Sequence, residues 1–255
     1  MNFGELGTRY HGPIATRYEK RRIGKKWSAE NQAAEQLLRH VAPGARVLDV
    51  PVGTGRLLPF LNARGAHVQG LDLSPDMLAI ARSSADAIGM AAGLDIGDIR
   101  HIPFDDDSFD LVTCVRFLNW IATDDLKQVV GELARVSRNK LLLGIRYLPD
   151  LSELPANKQA AVRLSMRAIG LSRCHASWHG LVNHPKSAVH NLFESLDLKI
   201  IEARVVERRF DGSDYVFFLL QQQSNGAGAS SSYSVNRRPV RPAQDYLAGE
   251  VALNG

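Results

Sequence analysis

The sequence is poor in cysteine, with only Cys114 and Cys174 among 255 residues. Two cysteines are too few for the disulfide framework that holds many small secreted domains together. A reducing compartment is the default for such a chain. We therefore expect a cytoplasmic protein.

Long apolar runs are also lacking. No apolar stretch approaches the roughly 20 residues that a membrane-spanning helix needs. The first residues, MNFGELGTRYHG, contain no apolar segment of the kind found in signal peptides. We therefore expect no membrane partner.

The net charge of +4 is unevenly placed. Residues 1–27 hold seven arginines and lysines against two glutamates, and the rest of the chain is about neutral. Such a segment attracts acidic substrates, nucleic acid or anionic surfaces, or it is a solvated lead-in to a helix. We treat residues 1–28 as a basic arm, which also contains the aromatic residues Tyr10, Tyr18 and Trp27.

The remaining sequence alternates strand-like and helix-like segments. Five apolar runs separated by helical patterns predict a parallel, doubly wound α/β sheet. Two further runs joined by a short turn place one antiparallel strand near the C-terminus, giving about seven strands. The predicted strands are 45–50, 66–73, 91–99, 108–117, 139–148, 198–210 and 214–223.

The predicted helices have recognisable ends. Ser74 suits an N-cap, with Pro75 at the first helical position and Asp76 beside the positive helix end. Residues 149–185 are irregular apart from a helical piece near 156–170. Residues 224–255 are polar and rich in glycine and serine, and they predict a disordered tail. The predicted helices are 30–41, 55–65, 74–89, 123–137 and 185–196.

A glycine-rich turn, DVPVGTGR, follows the first predicted strand. Gly53 and Gly55 allow positive φ angles and a close approach of the backbone to a ligand at the carboxyl edge of the sheet. A dinucleotide fingerprint needs a third small residue where this chain has Leu58, which argues against NAD and FAD. The phosphate-binding pattern G-x-x-x-x-G-K-[ST] is absent too. Asp72, at the end of the second strand, is placed to accept ribose hydroxyls.

Four segments together resemble class I S-adenosylmethionine-dependent methyltransferases. They appear in the order and spacing of that family, and the resemblance covers about residues 30–222. It implies a methyltransferase domain over residues 29–223, with an acceptor-side insert at 149–185. The segments are VLDVPVGTGRLLPFL, VQGLDLSPDMLAIAR, GDIRHIPFDDDSFDLVTC and LARVSRNKLLLGI.

The resemblance also implies roles for individual residues toward the cofactor, S-adenosylmethionine. Asp49, Gly53 and Gly55 would line its methionine part. Asp72 would bind the ribose, and Leu73 would touch the adenine. Asp98 would accept from the adenine amino group while Ile99 packs on the ring, and Cys114 would lie beside the sulfonium. The sequence departs from the family at Pro51 and Val52, where a glycine and often a cysteine or alanine are usual.

The acceptor is less well specified. A small molecule methylated on oxygen or nitrogen fits the short insert, and Arg116, Asn119, His175 and His179 are weak catalytic candidates. No metal site is predicted, because no second cysteine or carboxylate lies at ligand spacing from Cys174, His175 and His179. Two alternatives remain: a nucleic-acid methyltransferase that uses the basic arm, and a partner subunit that binds the cofactor without catalysis.

Overall fold

A computed structural model gives the fold. The structure describes residues 12–20, 25–149, 181–209 and 212–223, together with a few isolated positions between 150 and 180. Tyr10, most of the predicted helical piece at 156–170, and the predicted tail at 224–255 lie outside the described residues. The division into arm, domain, insert and tail therefore stays a prediction.

Five parallel strands form the centre of the sheet, as predicted. Their spatial order is β3-β2-β1-β4-β5, so the chain runs outward from β1 and then crosses to the other side. Leu141, Leu143 and Ile145 of β5 face one apolar layer and Leu142 faces the other, which confirms that this strand is buried on both faces. The strands are β1 Arg46–Asp49, β2 His67–Asp72, β3 Gly93–Ile96, β4 Phe109–Cys114 and β5 Ser137–Leu148.

Four more strands extend the sheet beyond β5. Two short ones, β6 (His175–Ala176) and β7 (Val182–Pro185), were not predicted, and β7 pairs with the last two residues of β5. The predicted hairpin is β8 (Leu198–Arg208) and β9 (Asp214–Gln222). β9 runs antiparallel to β5 and to β8, as the short turn requires.

Helices cover both faces, which confirms the doubly wound architecture. One apolar layer lies under α2, α3 and α4, and the other lies under α5 and α6. Ser74 caps α4, because its hydroxyl accepts from the Met77 amide at 3.2 Å. The helices are α1 Pro13–Lys20, α2 Lys25–Leu38, α3 Leu58–Ala63, α4 Pro75–Ala87, α5 Leu126–Val136 and α6 Lys186–Ser195.

The 3-10 turn Thr123–Asp125 replaces the start of the predicted helix at 123–137, and another 3-10 turn, Leu118–Trp120, precedes it. In the part of the chain that the structure describes, no helix combines the length and the apolar content needed to cross a membrane.

Candidate functional site

The glycine-rich turn leaves β1 at the carboxyl edge of the sheet and reaches α3. Its backbone is tied to the neighbouring strands: the Val50 amide donates to the Thr113 carbonyl at 2.9 Å and the Val52 amide to the Leu71 carbonyl at 2.8 Å. The Gly53 amide donates to Asp72 Oδ2 at 2.9 Å. The turn is therefore held from both adjacent strands, and its amides face the end of β2.

Pro51 and Val52 have structural roles in this turn. The Val52 side chain is buried in the apolar layer beneath α2, α3 and α4, where a β-carbon added to Gly70 would fall 3.0 Å from it. Pro51 follows a cis peptide bond, and the amides on either side of it supply the two strand contacts described above. Both departures from the family pattern thus occupy positions that are compatible with an ordered turn.

Asp49 ends β1 with a fully buried carboxyl group. Thr113 Oγ1 donates to its Oδ1 at 2.7 Å. Burial raises the pKa of Asp49 to about 7, against the lowering effect of the Thr113 hydrogen bond, and the negative charge of Asp72 raises it further. Without a cationic ligand, this carboxyl group therefore holds its proton up to about neutral pH.

Asp72 ends β2 and organises the loops around it. Its two oxygens accept from different amides, Oδ2 from Gly53 and Oδ1 from Ser74, each at 2.9 Å. Each carboxylate oxygen has two lone pairs, so accepting one amide does not preclude accepting a ribose hydroxyl. Leu73 is half-buried between Asp72 and the Ser74 cap. This geometry fits the predicted ribose and adenine roles.

Asp98 follows β3 and is completely buried. Its carboxylate accepts from Arg100, whose Nη2 donates to Oδ2 at 2.7 Å and whose backbone amide donates to Oδ1 at 2.9 Å. Ile99 is buried in the apolar layer beneath α5 and α6. The Gly97 amide donates to the Asp72 carbonyl at 3.1 Å, so this turn lies beside the end of β2. An adenine amino group at Asp98 would share the carboxylate with Arg100.

Cys114 is the last residue of β4, and its thiol is completely buried in the same apolar layer as Ile99. Burial, followed by the negative charge of Asp49, raises the pKa of this thiol well above its ordinary value. It is therefore a neutral apolar group at the floor of the site.

Arg116 follows β4 and belongs to a buried ion cluster. Together with Arg56 it binds both oxygens of Glu30, a completely buried residue of α2. The two guanidinium carbons lie 4.6 Å (Arg116) and 4.8 Å (Arg56) from the centre of the Trp27 ring. The cluster fixes the start of α2 against the glycine-rich turn and the end of β4.

Asn119 is buried between β5 and β7. Its side-chain amide donates to the carbonyls of Arg146 (3.1 Å) and Val182 (2.9 Å), and its Oδ1 accepts from the Arg146 amide at 3.0 Å. The side chain therefore joins two strand ends. A general-base role for its neighbour His184 is disfavoured, because burial lowers the pKa of that imidazole and its two nitrogens contact Thr123 Oγ1 and the Leu118 carbonyl.

The structure does not test the predicted catalytic roles of the two insert histidines. His175 has a described backbone in β6, but its side chain and all of His179 lie outside the described residues. Their roles stay predictions.

The sequence around the glycine-rich turn matches a known protein family. Residues 47–140 match a family described as methyltransferase domain. They begin at β1 and include Asp49, Gly53, Gly55, Asp72 and Asp98.

Residues 47–140 are a methyltransferase domain. The matched residues include the glycine-rich turn and most of the segments that resemble S-adenosylmethionine-dependent methyltransferases.

Relatives and solved structures of methyltransferases agree with this assignment. A phosphatidylethanolamine N-methyltransferase of Cereibacter sphaeroides is 34% identical over 126 residues, which are 48% of this chain and 61% of that protein. A demethylmenaquinone methyltransferase of Thermus thermophilus is 43% identical over 94 residues, which are 36% of this chain and 41% of that protein. The chain thus spans about half the length of the curated relatives it matches.

The fold is also similar to that of a solved methyltransferase. The magnesium protoporphyrin IX methyltransferase of Synechocystis PCC 6803, solved with bound SAH, superposes with a TM-score of 0.67 at 15% identity. The superposition covers 87% of this chain and all of that one. The similarity in fold therefore extends well beyond residues 47–140.

Three site residues of the methyltransferase domain and its surroundings carry roles that sequence reasoning missed. Glu30 and Arg56 form the ion cluster with Arg116, and Thr113 donates to Asp49. A signal for Glu30 was present: it stands three, four and seven positions before the buried residues Ala33, Ala34 and Leu37. An acidic residue on the apolar face of a helix indicates a buried partner.

Gly55 and Gly53 provide a matched pair of substitutions in the turn. Gly55 has φ +79°, and an added β-carbon would lie 2.7 Å from Leu58 Cδ1 and 3.3 Å from the Ala81 Cα. We expect Gly55→Ala to lower the free energy of unfolding by about 2–4 kcal/mol, from left-handed backbone strain plus overpacking. Gly53 has φ +56°, with 3.9 Å to its nearest neighbour. Gly53→Ala should therefore cost about 1–2 kcal/mol. Urea unfolding of both variants checks this, and equal losses would contradict it.

The raised pKa of Asp49 predicts a pH dependence of stability without cofactor. Between about pH 4 and pH 7 the folded state keeps a proton that the unfolded state releases, so this group's contribution to stability falls as pH rises through that window. The substitution Asp49→Asn imitates the protonated form at every pH. We expect it to stabilise the cofactor-free protein more at pH 8 than at pH 4, by at most about 4 kcal/mol. Unfolding at both pH values measures this, and a pH-independent effect would refute it.

Proposed function

We propose that the chain transfers the methyl group of S-adenosylmethionine to an oxygen or nitrogen of a small molecule in the cytoplasm. The observation that carries the proposal is the placement of three buried acids, Asp49, Asp72 and Asp98, at or just after the carboxyl ends of three adjacent strands, with Asp72 contacting the glycine-rich turn. Two relatives are named for methylating phosphatidylethanolamine and demethylmenaquinone, and these names support a small-molecule acceptor.

The residues present fit the cofactor. Asp49 is a buried partner for the ammonium group of the cofactor. A cation beside it would favour its ionised form and so lower its raised pKa. A β-carbon added to Gly53 would not clash, because its nearest neighbour, Met77 Cε, would lie at a van der Waals distance of 3.9 Å. Asp72 would hold the ribose hydroxyls, and Ile99 and Leu73 would contact the adenine. When bound, the cofactor supplies a methyl group on a sulfonium, already activated for displacement.

The protein's part in the reaction is then positional. An in-line displacement needs the acceptor atom held near the methyl carbon and water kept out, and these effects account for much of the rate in such reactions. A proton acceptor is needed where the attacking group is a hydroxyl. We propose His175 or His179 for that role, because both stand in the acceptor-side insert.

We propose that the basic arm closes over this site. The Gly12 amide donates to Asp76 Oδ2 at 2.8 Å, so the start of α1 lies at the first turn of α4, next to the end of β2. Trp27, farther along, lies against the arginines of the turn and of β4. We expect amide exchange over residues 12–20 to slow on adding S-adenosylhomocysteine, because a segment that opens to admit ligands has low local stability. Unchanged exchange would contradict the lid.

A turnover assay tests the proposed function. The full chain is incubated with S-adenosylmethionine and a panel of phenols, amines and quinols, and S-adenosylhomocysteine is measured. We expect product with at least one acceptor and, at subsaturating cofactor, at least tenfold less product with Asp72→Ala. Product with RNA or DNA instead, with affinity that falls steeply as salt rises, would support the nucleic-acid alternative. Tight cofactor binding with no product from any acceptor class would support the non-catalytic alternative.

A further inference from the structure

Arg146 lies on β5 at the edge of the sheet where the cofactor residues converge. Leu143 pairs with Cys114, the last residue of β4, so Arg146 stands three residues beyond that strand's end. Arg116 follows the same strand end by two residues. Both arginines therefore belong to the acceptor side of the methyl-donor site.

The Arg146 guanidinium is buried with part of its hydrogen-bonding capacity unused. The residue is only 2% exposed. Its Nη2 donates to Glu207 Oε2 at 2.6 Å, while Nη1 is buried and has no hydrogen-bond partner among the residues that the structure describes. A buried donor without an acceptor is costly in a folded protein. Asn119 fixes the backbone of Arg146 through two hydrogen bonds, and Glu207 holds the guanidinium in place.

Aromatic rings join this guanidinium to the ion cluster around Glu30. The Tyr215 ring has Arg146 at 5.3 Å and Arg116 at 5.1 Å from its centre. Trp27 then links Arg116 to Arg56 in the same way. The result is a row of alternating guanidiniums and rings that runs along the acceptor side.

Each carboxylate along this row pairs with two arginines. Among the described residues, Glu30 pairs with Arg56 and Arg116, and Glu207 pairs with Arg146 and Arg209. A cationic methyl donor nearby would add positive charge to this region, and an anionic ligand would offset it.

We propose that the Nη1 of Arg146, with Arg116 across the Tyr215 ring, binds an oxyanion of the methyl acceptor, a carboxylate or a phosphate. The guanidinium fork is suited to such groups, and binding in a buried site strengthens the contact. This inference rests on the proposed function, because it assigns the substrate class of that same site. The acceptor is then an acidic small molecule, anchored at its anionic end so that its nucleophilic atom faces the methyl group.

Calorimetric titration of two probe anions tests the inference. Benzoate and inorganic phosphate are titrated separately into the full chain saturated with S-adenosylhomocysteine, at constant ionic strength. We expect saturable binding of at least one anion, and Arg146→Met should weaken it by about tenfold or more. Tighter benzoate binding indicates a carboxylate acceptor, and tighter phosphate binding a phosphorylated one.

Arg209→Met is the matched control, because it removes the other cation on Glu207 and should change anion binding by less than about threefold. If Arg146→Met does not fold, Arg146→Lys keeps the charge without the fork and should still bind more weakly than the wild type. Absence of binding by both anions, or equal losses in the Arg146 and Arg209 variants, overturns the inference. Failure of S-adenosylhomocysteine to bind in the first step instead overturns the proposed function, and anion binding is then measured without it.

Discussion

Replacing Asp72 with alanine is expected to weaken S-adenosylmethionine binding by about 1.5–3 kcal/mol, the scale of charge-assisted hydrogen bonds. Two effects combine in this variant. The ribose hydroxyls lose their acceptor, and the Gly53 and Ser74 amides lose the carboxylate that positions the glycine-rich turn and the start of α4. Isothermal titration with the cofactor measures the loss.

Asp72→Asn separates the two effects. Its single carbonyl oxygen accepts from one of the two amides but carries no charge, so we expect an affinity between those of the wild type and the alanine variant. Asp95→Ala is the control for removing an acid from the adjacent strand, β3. Asp95 accepts from Gln69 at 2.8 Å on the neighbouring strand and should leave affinity unchanged. Unaltered cofactor affinity in Asp72→Ala would show that the ribose lies elsewhere.

Replacing Glu30 with alanine is expected to lower the free energy of unfolding by about 3–5 kcal/mol, since it leaves buried guanidiniums without their carboxylate. Glu30 is completely buried, and the side chain of its partner Arg56 is only 7% exposed. The start of α2 would lose its attachment to the glycine-rich turn. Denaturant unfolding of the variant measures the effect.

Glu202→Ala is the matched control for Glu30. Glu202 also binds two arginines, Arg39 and Arg204, but their side chains are 50% and 44% exposed. Exposed ion pairs contribute about 0–1 kcal/mol, so this control should be nearly neutral. Comparable destabilisation by the two substitutions would contradict the assignment of Glu30 as a buried structural anion.

The parts of the fold with local signals could be predicted from the sequence. β1 to β5 are apolar runs with helical patterns between them, and Ser74 caps its helix through an amide only three residues away. Gly53, in the turn after β1, contacts Asp72, at the end of β2, because such sheets bring the carboxyl ends of adjacent parallel strands together.

Features that depend on distant partners could not be predicted in the same way. β7 pairs with β5 through only two residues, Tyr147 and Leu148, and follows a segment without periodicity. Asn119 is polar and lies in an irregular stretch, and nothing local indicates that it binds Arg146 and Val182. The buried side-chain amide of Asn119 joins β5 to β7. Its contact with the acceptor stays a prediction.

The ion cluster illustrates the same limit at the candidate site. Arg56 and Arg116 are 60 positions apart in the sequence, and Glu30 belongs to a third element. Burial of one carboxylate between two arginines is a property of the packed state, and composition alone gives no sign of it. Only the apolar spacing around Glu30 hinted that this residue faces inward.

Direct titration of S-adenosylhomocysteine into the wild-type chain, followed by competition with NAD and ATP, is the measurement that tests the central claim most directly. The account predicts one site per chain in the roughly micromolar range usual for metabolite sites, with no competition from either nucleotide. Tight NAD binding with no binding of S-adenosylhomocysteine would contradict it.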